Sequence, residues 1–367
     1  MTARAWLLIL LGVASAGLPA RAATTEVGSA VRVYDDNKTK VISPQLEART
    51  VFNKERNSIK VGVASDIITS SSSDVVTNST GNVKEERKEA SLAMDMQVAD
   101  GTVAWSYVRS AENDWTSNGY TLSASRELFE KNTVLGVNVT VGDDNVRSSR
   151  DRLFSKYFYS NTYGISLTQV LNKQSVLQFL YDIRVENGYL ESPYRTARML
   201  AADGTFTLLS EKVPESRARN TFTVKYNYFK ENWRTALNNT LRFYNDTWAV
   251  TSLTYKIVAT TKLTGKFFLS YGVRLYLQTK ANFYEDYYTS SPVFRTGNKT
   301  LADLNSYQIE LRPIWHVWEG ADLYLKFEYF TQDFKNHTAI GKAGDKTDDQ
   351  KLQLQATVVG LGYTQSF

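Results

Sequence analysis

The sequence predicts an all-β protein: a single transmembrane antiparallel β-barrel of about 16 strands, of outer-membrane type. Three observations carry that reading. Apolar and polar residues alternate with period two along most of the chain, the signature of strands with one dry and one wet face. The connections between these runs are alternately short and long. Tyrosine is abundant, with 22 tyrosines beside 17 phenylalanines and 7 tryptophans, and such amphipathic rings suit a membrane–water interface.

The chain begins "MTARAWLLILLGVASAGLPARA". Arg4 precedes an apolar run from Ala5 to Leu11, and Ala20, Arg21 and Ala22 form a small-residue cleavage site. Residues 1–22 therefore read as a secretory signal peptide, too short in its apolar part to span a membrane as a helix. The barrel is expected over 23–367. No cysteine is present, which excludes a disulfide framework and thiolate metal sites. The formal charge of +5 is too small to imply nucleic-acid binding. No later stretch reaches the ~18 apolar residues of a transmembrane helix.

The strands are expected near 29–35, 39–52, 57–67, 88–98, 102–109, 119–129, 133–142, 161–171, 175–186, 219–229, 232–244, 248–259, 265–278, 305–317, 321–331 and 350–367. "VLGVNVTV" sets Leu135, Val137, Val139 and Val141 on one face against Gly136, Asn138 and Thr140. "KFFLSYGVRLYLQ" sets Phe267, Leu269, Tyr271, Val273, Leu275 and Leu277 against Ser270, Gly272, Arg274 and Gln278. Short polar turns such as "ADG", "EKN", "NKQ" and "EGA" collect at one rim. Long loops near 68–87, 109–118, 143–160, 187–218, 279–304 and 332–349 collect at the other, as in an outer-membrane barrel. Leu352 and Leu354 are out of phase with Val359 and Leu361, which points to a bulge between them.

The chain runs into "VVGLGYTQSF". Val359, Leu361, Tyr363 and Phe367 alternate to a final aromatic, the expected lipid face of a last strand that closes on the first. This terminus resembles those of many outer-membrane barrels, and the resemblance implies pairing with the barrel-assembly machinery; Gln365 departs from the pattern. A second stretch is more specific. Ser72, Asp74, Val75, Val76 and Thr77, followed by Glu85 and Arg87, resemble a Ser-x-Asp-Val-Val-Thr loop and Glu-x-Arg element of a bacterial outer-membrane barrel family of unknown function. That resemblance supports the fold and supplies no catalytic residues.

A search for chemistry finds little. His316 sits beside a short turn and His337 in a polar segment, and a lone wall histidine is more often hydrogen-bonded than catalytic. Asp74, Asp143, Asp144, Asp345, Asp348 and Asp349 are loop carboxylates that do not match a calcium-loop spacing. The inward face is more telling. Lys225, Arg234, Arg242, Lys256, Arg274, Arg312 and Lys326 fall on it in the C-terminal half, interrupted by Glu310 and Glu328. A more mixed set, Glu47, Arg49, Lys60, Glu89, Asp95, Asp182 and Arg184, occupies the N-terminal half. A barrel of ~16 strands is too wide for its own side chains to fill. These residues are expected to line a porin-like channel for small hydrophilic solutes with a preference for anions. No enzyme activity or cofactor is expected. The loops 187–218 and 279–304 are the expected constriction. The expected setting is the outer membrane of a Gram-negative bacterium, among lipid and lipopolysaccharide, with a homo-trimer or a periplasmic lipoprotein as candidate assembly. Two alternatives remain open: a sheath around a periplasmic or electron-carrying partner, and a surface adhesin or barrel hydrolase acting through its loops.

Overall fold

The computed structural model describes residues 24–53, 56–70, 83–338 and 351–367. The expected leader lies outside the described residues, as do Ser72, Asp74, Val75, Val76, Thr77, Asp345, Asp348 and Asp349. The strands are β1 (Thr24–Asp35), β2 (Thr39–Phe52), β3 (Asn57–Ser70), β4 (Val83–Val98), β5 (Gly101–Ala111), β6 (Trp115–Leu128), β7 (Thr133–Arg147), β8 (Ser155–Asn172) and β9 (Ser175–Gly188). They continue as β10 (Thr196–Leu200), β11 (Phe206–Ser210), β12 (Ser216–Lys230), β13 (Thr235–Asp246), β14 (Thr251–Lys262), β15 (Phe267–Gln278), β16 (Leu304–Trp318), β17 (Ala321–Thr338) and β18 (Lys351–Ser366). Sixteen of them form one closed antiparallel barrel in chain order, with β9 against β12 and β18 against β1. β10 and β11 form a separate hairpin inside the β9–β12 connection.

Side-chain alternation decides which way each strand faces. Val61 and Val63 on β3, Leu122 on β6, Val137 and Val139 on β7, Ile165 on β8, Leu241 on β13, Leu275 on β15, Ile309 on β16, Phe327 on β17 and Leu361 on β18 are all exposed. They form an apolar belt around the outside, which would be costly in water and is stable in hydrocarbon. Tyrosine and tryptophan edge that belt. At the short-turn rim the Trp318 indole and the Tyr363 hydroxyl both donate to Gln365 Oε1, each at 2.8 Å. The polar residue that departs from the terminal pattern is thus part of the interfacial girdle. Phe367 N donates to Thr25 O at 2.8 Å, so the seam is bonded to its end.

Between Leu354 and Val359 the predicted bulge is absent, and the register shift of this ladder lies further up, between Asp333 and Thr338 of β17. β18 pairs with β17 in one unbroken register from Gln365 opposite Ala321 to Gln353 opposite Asp333. The phase of apolar residues changes because the environment does. Val359 and Leu361 face outward into the belt, whereas Leu354 faces inward onto a buried apolar cluster. Gln353 and Gln355 point outward above the belt, where Gln353 Nε2 donates to Asp333 Oδ1 at 2.6 Å.

Several strands also run further than their alternation suggested. β7 reaches Arg147 and β8 starts at Ser155, so the expected 143–160 loop contracts to 148–154. β17 reaches Thr338, which makes His337 a strand residue. Above the lipid both faces are wet, so the period-two signal fades while the ladder hydrogen bonds continue.

The long-loop end carries the only packed apolar interior among the described residues. Val213, Trp248, Val250, Ala281, Tyr284, Leu301, Ala302, Leu304 and Phe334 are buried together, with Tyr244, Tyr276 and Leu354 against them. The β9–β12 and β15–β16 connections supply most of it and interlock. Lys212 and Arg295 exchange backbone hydrogen bonds of 2.9 and 2.7 Å, and Leu200 N and Arg198 O both bond Tyr288. Glu211, buried in this cap, accepts from Ser192 N at 2.7 Å and from the fully buried Thr296 hydroxyl, and pairs with Arg195 at 3.4 Å. A folded cap therefore sits inside the mouth on the side of β12–β18, built from the two loops expected to constrict it.

Candidate functional site

The inner wall beneath this cap is the candidate site. Strand register places its residues. On β12, Phe222 and Tyr226 are in the outer belt, so Lys225 faces inward. The same reasoning turns Arg242 on β13, Lys256 on β14, Arg274 on β15, Glu310 and Arg312 on β16, and Lys326 and Glu328 on β17 into the lumen. Arg234 does not belong with them. It follows the 3₁₀ turn Glu231–Trp233 in a left-handed conformation (φ 47°), outside β13. The turn consumes the residues that the sequence pattern had assigned to the strand.

The lumen-facing charges divide into neutralised and free ones, a distinction the sequence does not carry. Lys256 Nζ lies 2.7 Å from Glu310 Oε2. Lys326 Nζ lies 2.9 Å from Glu328 Oε1, which also accepts from Gln308 Nε2 at 2.9 Å. The Arg274 guanidinium lies over Tyr276 at 5.1 Å and that of Arg312 over Tyr324 at 5.8 Å. Tyr324 lies flat on the wall because its cross-strand partner is Gly362, where a Cβ would meet the ring at 2.2 Å. Among the described residues, Lys225, Arg242, Arg274 and Arg312 have no carboxylate within ion-pair distance.

In the N-terminal half the charges are mostly paired. Lys60 meets Glu47 at 2.7 Å, and Arg87 meets Asp66 at 2.8 Å with Glu89 at 3.9 Å. Ser58 Oγ donates to Asp95 at 2.8 Å. Higher on the wall, Arg184 and Arg219 share the buried Glu186 at 2.9 and 2.6 Å, and Arg217 pairs with Asp246 while stacking on Trp248 at 4.2 Å. Between the two halves, β5–β8 turn inward Ser106, Thr121, Ser123, Asn138, Thr140, Thr162 and Ser166, a wall that is small and almost uncharged.

Asp143 and Asp144 are strand residues with opposite directions, so they do not make a joint cation site. Asp144 faces inward, is buried and accepts from the Trp115 indole at 2.9 Å. A different acidic group forms at the long-loop end: Glu85, Glu112 and Asp114, whose carboxylate oxygens lie within 4.8 Å of one another. Glu85 stands above the belt, since its outward neighbour is the charged Glu86. Burial, with Asp114 and Glu112 beside it, pushes the Glu85 carboxyl up to about 7. No signal in the sequence joins these three residues.

His316 faces inward at the short-turn end, paired through Nδ1 with Asp322 Oδ1 across the β16–β17 hairpin. The edge of its ring meets Phe268 at 4.8 Å. The pair opens onto a cleft of about 500 Å³ that Glu26, Lys266, Glu319, Thr364 and Ser366 also line.

The comparisons bear on this wall. A family model described as "Protein of unknown function (DUF3570)" matches residues 159–347, just over half of the chain. The chain belongs to the DUF3570 family. The matched stretch holds β9–β17, the loop cap and every basic residue of the C-terminal wall. The resemblance drawn from residues 65–91 lies outside it, so that loop motif does not carry the membership. No curated protein matches the chain. Among solved structures, a bacterial polysaccharide outer-membrane secretin matches with a TM-score of 0.51 and 8% identity, over 94% of this chain and 98% of that one. CdiB from Acinetobacter baumannii matches with a TM-score of 0.54 and 9% identity, over 94% of this chain and 60% of that one. At such identities the likeness shows the fold alone: this DUF3570 member is an outer-membrane-type β-barrel.

Proposed function

We propose that the protein is a porin-like channel of a Gram-negative outer membrane, passing small hydrophilic solutes by diffusion and preferring anions. One observation carries the reading. A closed barrel of sixteen strands wraps an apolar belt around a charged and hydroxyl-lined interior, and a barrel of that size is too wide to fill itself. The cap narrows the mouth over β12–β18, so a solute passes between the small neutral wall of β5–β8 and the cations of β12–β16. Unpaired cations in a confined aqueous passage raise the local anion concentration. The step is electrodiffusion, with no covalent chemistry and no cofactor. Lipid and lipopolysaccharide surround the belt in this reading, and the terminal strand through Phe367 is the segment offered to the assembly machinery.

The test is conductance of the purified protein in a planar bilayer, with the reversal potential under a salt gradient. Wild type is expected to conduct and to favour the anion. Arg242→Glu with Arg274→Glu should move the reversal potential toward cation preference. The shift should shrink from ~0.1 M to ~1 M salt, as the screening length falls from ~10 Å to ~3 Å. Lys256 is left unchanged, because it is already neutralised by Glu310. Absence of any ion-conducting opening would falsify the channel reading.

A further inference from the structure

Many inner-wall cations are neutralised by carboxylates, among them Lys60, Arg87, Arg184, Arg219, Lys256 and Lys326, but three that are not stand on neighbouring rungs. Lys225, Arg242 and Arg274 stand on β12, β13 and β15, within a four-strand stretch of the ladder. Thr223 is the cross-strand partner of Arg242, and Thr240 that of Lys225. Thr240 is in turn the partner of Lys256, which faces Arg274. The three cations thus occupy two adjacent rungs of one patch. Arg242 acts electrostatically on both Arg274 and Asp182. Asp182 on β9 is the carboxylate facing the patch from that side, yet it lies beyond ion-pair distance. Lys256 spends its charge on Glu310 at 2.7 Å. Arg32, Arg49 and Arg312 also lack an ion pair, but they lie on other parts of the wall.

Like charges held side by side repel. Such a patch attracts an anion. The donors suit one kind of anion in particular. A guanidinium presents a planar fork that matches the two oxygens of a carboxylate or phosphate. The Arg274 fork is oriented by its contact with Tyr276, and the hydroxyls of Thr223, Thr240 and Thr254 sit on the same rungs. Chloride, a sphere without direction, uses none of this geometry.

We infer that Lys225, Arg242 and Arg274 form an oxyanion-binding subsite in the lumen, at which solutes carrying a carboxylate or phosphate group dwell during passage. The subsite rests on the channel reading and narrows it: the barrel selects oxyanionic solutes rather than passing anions by charge alone.

The experiment uses the full-length barrel in a planar bilayer with chloride as the carrier ion. Inorganic phosphate and succinate are added in separate titrations. At least one should interrupt the chloride current in a saturable, concentration-dependent way. The variant Lys225→Gln/Arg242→Gln/Arg274→Gln should raise the half-blocking concentration about tenfold or more, since charge-assisted hydrogen bonds are lost. Arg312→Gln, a free cation outside the patch, should leave it unchanged. A conducting wild type blocked by neither probe overturns the subsite while the channel stands, and so does block that the triple variant retains. If wild type does not conduct, the channel reading fails. Binding of phosphate or succinate to the detergent-solubilised barrel, by titration calorimetry on wild type and triple variant, then decides the subsite separately: loss of heat in the variant supports it, and no heat in wild type overturns it.

Discussion

Replacing Tyr271 with Arg tests the assignment of faces on which every statement about the lumen depends. Tyr271 lies outward on β15, in a row that runs Phe267, Leu269, Tyr271, Val273, Leu275, Leu277. From Phe267 to Leu277 the strand advances by ~10 residues at ~3.4 Å, and a tilt of ~40° converts this to a height of about 25 Å, the height of the apolar band of such barrels. Tyr271 stands roughly 10 Å above the lower edge of that band, close to the midplane. An arginine there has no water within easy reach, and its expected cost is ~2–4 kcal/mol. The comparison is Asn238→Arg. Asn238 is exposed on the inward face of β13, opposite Asn227, where a guanidinium keeps its hydration. Its cost should stay within ~0.5 kcal/mol, as for an ordinary wet-surface change. Ser270, beside Tyr271 in sequence, is unsuitable as the control. It is 3% exposed, accepts from Thr260 and faces Arg312. The assay is reversible urea unfolding of the barrel in lipid vesicles, followed by tryptophan fluorescence. Equal costs for the two variants, or a cost below ~1 kcal/mol for Tyr271→Arg, would refute the assigned faces.

Two further outcomes are expected. The carboxyl of Glu85 is held up at about 7 in the folded barrel, above its value in the unfolded chain, so the native state holds the proton more tightly. Its contribution to stability is therefore present at low pH and is lost as pH rises through the interval up to about 7. Thermal melting of the wild type from about pH 5 to about pH 8 should show that decline, and Glu85→Gln should flatten it; an unchanged slope would count against the carboxylate cluster. Trp248→Ala should loosen the cap without unfolding the barrel. The indole is 5% exposed, donates to Ser216 O at 3.0 Å and carries Arg217 on its face. Losing it costs ~3–5 kcal/mol of local packing, read as faster trypsin cleavage after Arg195, Arg198 and Lys212 at unchanged barrel melting temperature.

The belt was legible in the sequence because hydrocarbon imposes one rule on every strand. A lipid-facing residue must be apolar, its neighbours need not be, and the result is a period-two pattern that sixteen strands repeat. The same rule made Lys225, Arg242, Lys256, Arg274, Arg312 and Lys326 readable as inward. Where lipid stops, the rule stops. The upper ends of β7, β8 and β17 were hidden, and Leu354 looked like a register fault although it only turns from the belt to the cap. The β10–β11 hairpin and its lock onto residues 279–303 were likewise unreadable, since a cap core is assembled from segments far apart in the chain with no shared period. Charge pairing lay beyond the sequence for a related reason. Lys256 and Arg274 are equal as letters, but Glu310 reaches one and not the other, and that follows from register and side-chain reach across strands. Composition and alternation by themselves determined the barrel and which charged residues of its C-terminal half point inward. Only the tertiary structure decided which cations remain free and how the two long loops interlock into a cap, because both depend on contacts between residues far apart in the chain.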